Sequence, residues 1–273
     1  MTPLIFSHAN SFPAGTYQVL LQALRARGFD VHALDRFGHD ARYPVTDGWP
    51  HLVQQLHDFA QPLVQRWGQP AVLVGHSLGG FVSLMLAAQH PALAHAVVML
   101  DSPLLDGWRA ATLAAAKRAQ LISRFSPGKI SRKRRDRWSS REAALAGFQS
   151  KTSFARWHPQ VLHDYVQHGI VPDGDGGFTL HFTREEETAI YNTLPHHLGS
   201  LLRAHPLQCP AAFIGGLAST EMRQVGMDMT RRVTQGRIML VDGGHLFSME
   251  QPHMTAAAIE ASWLNLQAVI SSN

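Results

Sequence analysis

The stretch VLVGHSLGG, Val72 to Gly80, decides how the rest of the chain is read. It sets Ser77 between Gly75 and Gly79, directly after the apolar run AVLV and before LGGFVSLMLAAQH, a segment of helical length that Pro91 stops. A strand that turns sharply into a helix through G-x-S-x-G exposes the serine hydroxyl at the turn, the setting of a nucleophile elbow. Gly75 and Gly79 allow neighbouring backbone to approach closely, and Gly80 allows tight helix packing. The amide of Leu78, at the helix N-terminus, points toward the place where an oxyanion forms. The five-residue pattern alone is weak evidence, and its strand-to-helix context supplies the specificity.

Outward from this point, short β-rich runs alternate with helical patterns. PLIFSHA (3–9), FDVHALD (29–35), AVLVGHS (71–77), HAVVMLD (95–101), AAFIGG (211–216) and GRIMLVD (236–242) are the predicted strands. Several are near-continuous apolar runs, as expected for strands buried on both faces of a parallel sheet. TYQVLLQALRARG aligns Val19, Leu20 and Leu24 on one helical face and stops at Gly28. WPHLVQQLHDFAQPLVQRWG reads as a helix with a break near Pro62. The succession predicts an α/β fold: a mostly parallel open sheet of about six strands flanked by helices.

After Asp101 the rhythm fails until about Pro210. A structureless loop of that length is unlikely in a compact domain, and the stretch carries helical patterns such as ATLAAAKRAQLISRF, SREAALAGFQS, HPQVLHDYVQHG and EEETAIYNTL. It therefore reads as a mostly helical cap (lid) insertion over residues 102–209, with the core formed by 1–101 and 210–273. Its aromatics, among them Trp108, Phe125, Trp138, Phe154, Trp157 and Tyr165, either line an apolar pocket or pack their own helices. Eight Lys/Arg fall between Arg124 and Arg141 against Asp136 alone, while the whole chain is only +4. One segment thus supplies all the basicity, which reads as a solvated face or a patch that steers anions and does not imply nucleic-acid binding.

At 273 residues, with 45% hydrophobic and 16% charged residues, the chain has the composition of a folded globular protein. No apolar run reaches the roughly 18 residues of a membrane helix, and the start MTPLIFSHANSF lacks a secretion-signal pattern, so a cytoplasmic location is expected. Cys209 has no partner for an internal disulfide and reads as structural.

In its elbow and order of elements the chain resembles the α/β-hydrolase superfamily, in its serine esterase and lipase-like branch with a helical lid. Three further stretches carry the resemblance. SHANSF, Ser7 to Phe12, resembles the oxyanion loop, with Ala9 where the family has glycine; this implies that the amides of Asn10 and Leu78 form the oxyanion hole and that His8 is structural. DRFGHD, Asp35 to Asp40, is similar to the family's D-x-x-G-H turn, which gives Asp35 a structural role. VDGGHLFSMEQP, Val241 to Pro252, matches its terminal G-H followed by E-x-P, which makes His245 the base. A serine hydroxyl needs such a base, and an imidazole titrating near neutrality suits the task. The family usually begins with two further strands, and the expectation here is a sheet without them, leaving FDVHALD near an edge where a homodimer could form.

The third member of the triad is displaced. The resemblance places an acid just after AAFIGG, where the sequence has Ala218 and Ser219, and neither supplies a negative charge. Asp101, ending the strand after the elbow helix, is the leading candidate, because some superfamily members, certain lipases and haloalkane dehalogenases among them, draw their acid from that strand. Adjacent parallel strands lie about 5 Å apart, so the position is reachable. Glu221 is the alternative, and another arrangement stays open; Asp242 fits a turn better.

The expected chemistry is hydrolysis of small to medium carboxylic esters through an acyl-enzyme, using a small-molecule ester and no cofactor or metal. A carbon-carbon hydrolase of ring-cleavage diketones would use the same residue types. A non-catalytic small-ligand receptor on this fold is the reading from another class, and retention of both Ser77 and His245 counts against it.

Overall fold

The computed structural model describes residues 1–119 and 128–271. Arg124, Phe125 and the side chain of Trp108 lie outside what is described, as does the end of the helix predicted over ATLAAAKRAQLISRF. In chain order the described strands are β1 (Thr2–Ser7), β2 (Phe29–Ala33), β3 (Ala71–His76) and β4 (Ala94–Leu100), then the short β5 (Arg137–Trp138), β6 (Ile170–Pro172) and β7 (Phe178–Leu180), then β8 (Ala211–Gly216) and β9 (Ile238–Val241). Six of them form one parallel sheet in the order β2-β1-β3-β4-β8-β9. This is the predicted α/β architecture, with β2 at one edge. Among the described residues no helix is long and apolar enough to cross a membrane.

Alternation along each strand divides the core between the two sheet faces. Leu4, Phe6, Val72 and Val74 pack with Leu20 and Leu24 of α1 (Gln18–Ala26) and with Ile259 and Trp263 of the C-terminal helix Pro252–Ser271. Ile5, Leu73 and Val97 face the other way, onto Leu52 and Leu56 of α2 (Pro50–Trp67) and Leu84 and Met85 of α3 (Leu78–Gln89). All six residues of β3 are buried, so the turn that follows it is anchored from both sides. The break predicted near Pro62 does not occur: α2 runs through it. Pro62 is exposed, so water can serve the carbonyl that its missing N–H leaves free.

Between β4 and β8 the chain forms α4 (Gly107–Arg118), α5 (Arg141–Gln149), α6 (Pro159–Gly169) and α7 (Arg184–Asn192), together with smaller pieces. It also forms an antiparallel sheet, β5-β7-β6, that the helical reading did not include. Strands of two or three residues are too short to show a period. The PDGDGG turn joins β6 to β7, with Asp173 Oδ1 accepting the amides of Asp175 and Gly177, both at 2.9 Å. Part of the basic segment is bound into this region. Arg141 donates to the Ile170 carbonyl at 3.2 Å, and Arg134 pairs with buried Glu187 at 2.9 Å.

The region between β4 and β8 is seated on the loops that follow β1 and β2. A Cβ on Gly15 would lie 2.2 Å from the His168 ring of α6, so only glycine admits that helix. Phe12 meets Trp157 and Tyr165, each with ring centroids 5.5 Å apart. Asn10 Nδ2 donates to the Glu187 carbonyl of α7 at 3.1 Å, and His39 Nε2 accepts the Thr183 amide at 3.1 Å.

Candidate active site

Ser77 occupies the turn from β3 into α3 with φ 51° and ψ −114°, outside the regions an L-residue prefers. Such a conformation costs about 1–3 kcal/mol and persists only where the surroundings impose it. Here they do. The Ser77 amide donates to the Leu100 carbonyl at 2.9 Å, and its carbonyl accepts from Gly80 N at 3.0 Å and Ser102 Oγ at 2.9 Å. The glycines of the motif are sterically required: an added Cβ would lie 2.2 Å from the Gly79 carbonyl at Gly75, 2.0 Å from the Ser7 carbonyl at Gly79 and 2.1 Å from Ser102 Oγ at Gly80. The loop after β1 is thereby pressed against the N-terminus of α3, where the Leu78 amide has no intrahelical acceptor.

Asp101 follows β4 with φ 44° and is fully buried. Its Oδ2 lies 2.6 Å from His245 Nδ1, and its Oδ1 accepts the Gly216 amide at 3.0 Å. Ser219, at the position where the family resemblance places an acid, instead donates its hydroxyl to Asp101 Oδ2 at 2.6 Å. The serine thus supports the carboxylate of Asp101. Glu221 lies further out, with Oε2 3.8 Å from His245 Nδ1. It sits in the first turn of the short helix α8 (Thr220–Val225), which Ser219 caps.

Because Asp101 can only accept, His245 Nδ1 carries the proton, and Nε2 remains as the nitrogen able to take one. Burial works against a charged His245 ring, but the Asp101 hydrogen bond and the carboxylates of Glu221 and Asp101 outweigh it and hold the pKa above the ordinary value. For Glu221, burial pushes upward, whereas the His245 charge, its own amide and the Thr220 and Ser219 hydroxyls bring the pKa below the ordinary value.

His76 and Tyr17 join the elbow to both flanking loops, a connection the sequence reading missed. His76 Nε2 donates to the His245 carbonyl at 2.9 Å, which leaves Nδ1 to accept from the Tyr17 hydroxyl at 2.8 Å. That hydroxyl accepts the Ala9 amide at 3.1 Å. Burial keeps His76 neutral, with its pKa pushed down to about 3, and raises that of Tyr17. A histidine before the motif serine was visible in GHSLG, but its distant partner carried no sequence signal.

His8 is also buried, with its Nε2 accepting the Phe37 amide at 3.0 Å and its Nδ1 donating to the Ala9 carbonyl at 2.8 Å. Burial lowers its pKa to about 4. Asp35 turns its side chain to solvent, and its carbonyl accepts the Ala14 amide at 3.0 Å. Asp242 is exposed and accepts from Gln251 at 3.1 Å. Cys209 is free and partly buried, and burial raises its thiol to about 12, far from a reactive thiolate. Among the described residues, Asp101, Glu221 and His245 offer ligand atoms within 4.8 Å of one another, a spacing that a metal ion could use. The hydrogen bond between Asp101 and His245 already accounts for the closest pair.

A model described as the alpha/beta hydrolase family matches residues 4–258. Abhydrolase domain-containing protein AFT2-1 of Alternaria alternata is 27% identical over 244 residues, covering 75% of this chain and 87% of that protein. The monoglyceride lipase of Homo sapiens is 27% identical over 133 residues, covering 45% of this chain and 43% of the lipase. Among solved structures, the thioesterase domain from the curacin biosynthetic pathway superposes with a TM-score of 0.72 at 18% identity, covering 94% of this chain and 90% of that one. At such identity the superposition speaks for the fold alone.

Proposed function

Because the chain belongs to the alpha/beta hydrolase family, we propose that it is a serine hydrolase that cleaves carboxylic esters of small to medium acyl groups. Ser77 is the nucleophile, His245 the base and Asp101 the acid that orients it. His245 Nε2 takes the Ser77 proton as the hydroxyl oxygen attacks the ester carbonyl, and the amides of Asn10 and Leu78 hold the tetrahedral oxyanion. The proton then passes from Nε2 to the leaving alkoxide as the ester bond breaks. Water, activated by the same nitrogen, releases the acid and restores the serine. Asp101 stabilises the imidazolium and fixes its tautomer without taking up the proton.

One observation carries this reading: the 2.6 Å contact between the His245 ring and buried Asp101, whose neighbour Leu100 accepts the amide of a serine held at φ 51°. Serine at the elbow supports acyl chemistry over the aspartate-dependent reactions of related enzymes. The likeness to a monoglyceride lipase supports an ester as substrate. The region between β4 and β8 acts as a lid, and its aromatic cluster around Trp157 and Tyr165 supplies an apolar roof over the Asn10 loop.

The test is hydrolysis of a graded p-nitrophenyl ester series by wild type and Ser77→Ala, alongside fluorophosphonate labelling. Turnover lost in Ser77→Ala and a label on Ser77 are expected. A folded wild-type protein that takes no label and turns over no ester refutes the reading.

A further inference from the structure

The His245 ring faces two carboxylates, whereas a triad needs one. We propose that Glu221 is a second carboxylate of this centre, a positioning residue that stabilises the protonated His245 ring electrostatically while Asp101 alone orients it. The inference rests on the reading of Ser77 and His245 as nucleophile and base.

Geometry separates the two acids. Asp101 Oδ2 is 2.6 Å from His245 Nδ1, within hydrogen-bond reach, whereas Glu221 Oε2 at 3.8 Å is beyond it. At that separation a carboxylate acts through its charge, and charge favours the imidazolium. Ser219 Oγ stands between them, 2.6 Å from Asp101 Oδ2 and 3.3 Å from Glu221 Oε2, and its single proton can serve one of them at a time. Directed at Asp101, it leaves the Glu221 charge turned toward the ring.

The other groups around His245 do not substitute for this charge. His76, at the end of β3, is neutral by burial, with its ring centroid 5.3 Å away. Tyr191 of α7, near enough to Glu221 to feel its charge, is held protonated, since burial pushes its pKa up to about 12. On the loop that carries His245, Glu250 is paired with Arg156 at 3.1 Å, and the same guanidinium lies 3.6 Å from Asp242. Glu221 is therefore the one carboxylate besides Asp101 that faces the ring among the described residues without a cation of its own.

The consequence is a higher pH for the onset of base function, because a stabilised imidazolium releases its proton later. The experiment measures the rate of fluorophosphonate labelling of Ser77 against pH in the wild type, Glu221→Gln and Glu221→Asp, with NMR titration of the His245 ring in the same proteins. In Glu221→Gln the ratio of the labelling rate at about pH 5.5 to that at about pH 8.5 should rise at least roughly threefold. The ring titration should move to lower pH with it, and Glu221→Asp should shift both by less. An unmoved ring titration in Glu221→Gln overturns the proposal. So does a loss beyond a thousandfold at high pH in Glu221→Gln, which would make Glu221 the orienting acid. A wild type that takes no label refutes the assignment of Ser77 instead, and the NMR titration still decides the role of Glu221.

Discussion

Replacing Asp101 with Asn changes one oxygen to an NH2 group in a fully buried site, and the surrounding donors dictate the result. The native carboxylate accepts from Gly216 N at 3.0 Å and Ser219 Oγ at 2.6 Å, and from His245 Nδ1 at 2.6 Å. An amide has one acceptor oxygen for these two directions. With that oxygen toward His245, the NH2 group opposes the Gly216 amide, donor against donor. With it toward Gly216, the NH2 group faces His245 Nδ1, and the ring must move its proton to Nε2. The second arrangement satisfies more bonds and removes the base from Ser77. Turnover should fall by about 10³–10⁴, as tautomer loss does in serine proteases, while stability falls by only about 1–3 kcal/mol for the lost charge-assisted contacts. The assay pairs kcat on p-nitrophenyl acetate with urea unfolding of Asp101→Asn. Turnover within tenfold of wild type in a folded variant refutes this account.

Three further outcomes follow from the same geometry. Tyr17→Phe removes the hydroxyl that accepts from Ala9 N and donates to His76 Nδ1; unfolding free energy should drop by about 1–3 kcal/mol, with a loss of kcat on the same ester. Gly80→Ala sets a methyl 2.1 Å from Ser102 Oγ, and urea unfolding should show about 1–3 kcal/mol of destabilisation that Ser102→Gly partly reverses; no reversal means that another contact is responsible. His8 and His76 are depressed to about 4 and about 3, so below about pH 6.5 the unfolded chain binds protons that the folded chain refuses. Their contribution to stability should decline by about 1.4 kcal/mol per pH unit for each ring as pH falls from about 6.5 toward 4. His245 has the opposite sign: its contribution is present below the ordinary histidine pKa and disappears as pH rises through the raised one. Unfolding measured near pH 7, 6 and 5 should therefore show a net decline toward acid, and a flat or rising profile contradicts the assignment of two buried neutral rings.

The central sheet was legible because its inner strands β1, β3, β4 and β8 are apolar runs buried almost throughout, and the elbow because only glycine fits at positions 75, 79 and 80. These are local constraints, and sequence records them directly. Asp101 was readable as the leading candidate from its place at the end of β4, with Glu221 as the alternative; their different distances from the His245 ring, 2.6 Å and 3.8 Å, are set across three strands and leave no local mark in the sequence. Ser219 looked like a gap in the pattern and is a hydrogen-bond donor to Asp101. The β5-β7-β6 sheet escaped because its strands are shorter than one repeat of any recognisable pattern. Pro62 misled for a different reason, since a helix tolerates proline where solvent serves the orphaned carbonyl.

The bond from Asn10 Nδ2 to the Glu187 carbonyl has a consequence for timing. Asn10 is also the residue whose amide we assign to the oxyanion, so the roof and the anion cradle share a strut. A substrate that displaced α7 would break this bond and leave the Asn10 side chain without its anchor until the helix returned, so the proposed anion cradle is braced only while α7 stays seated.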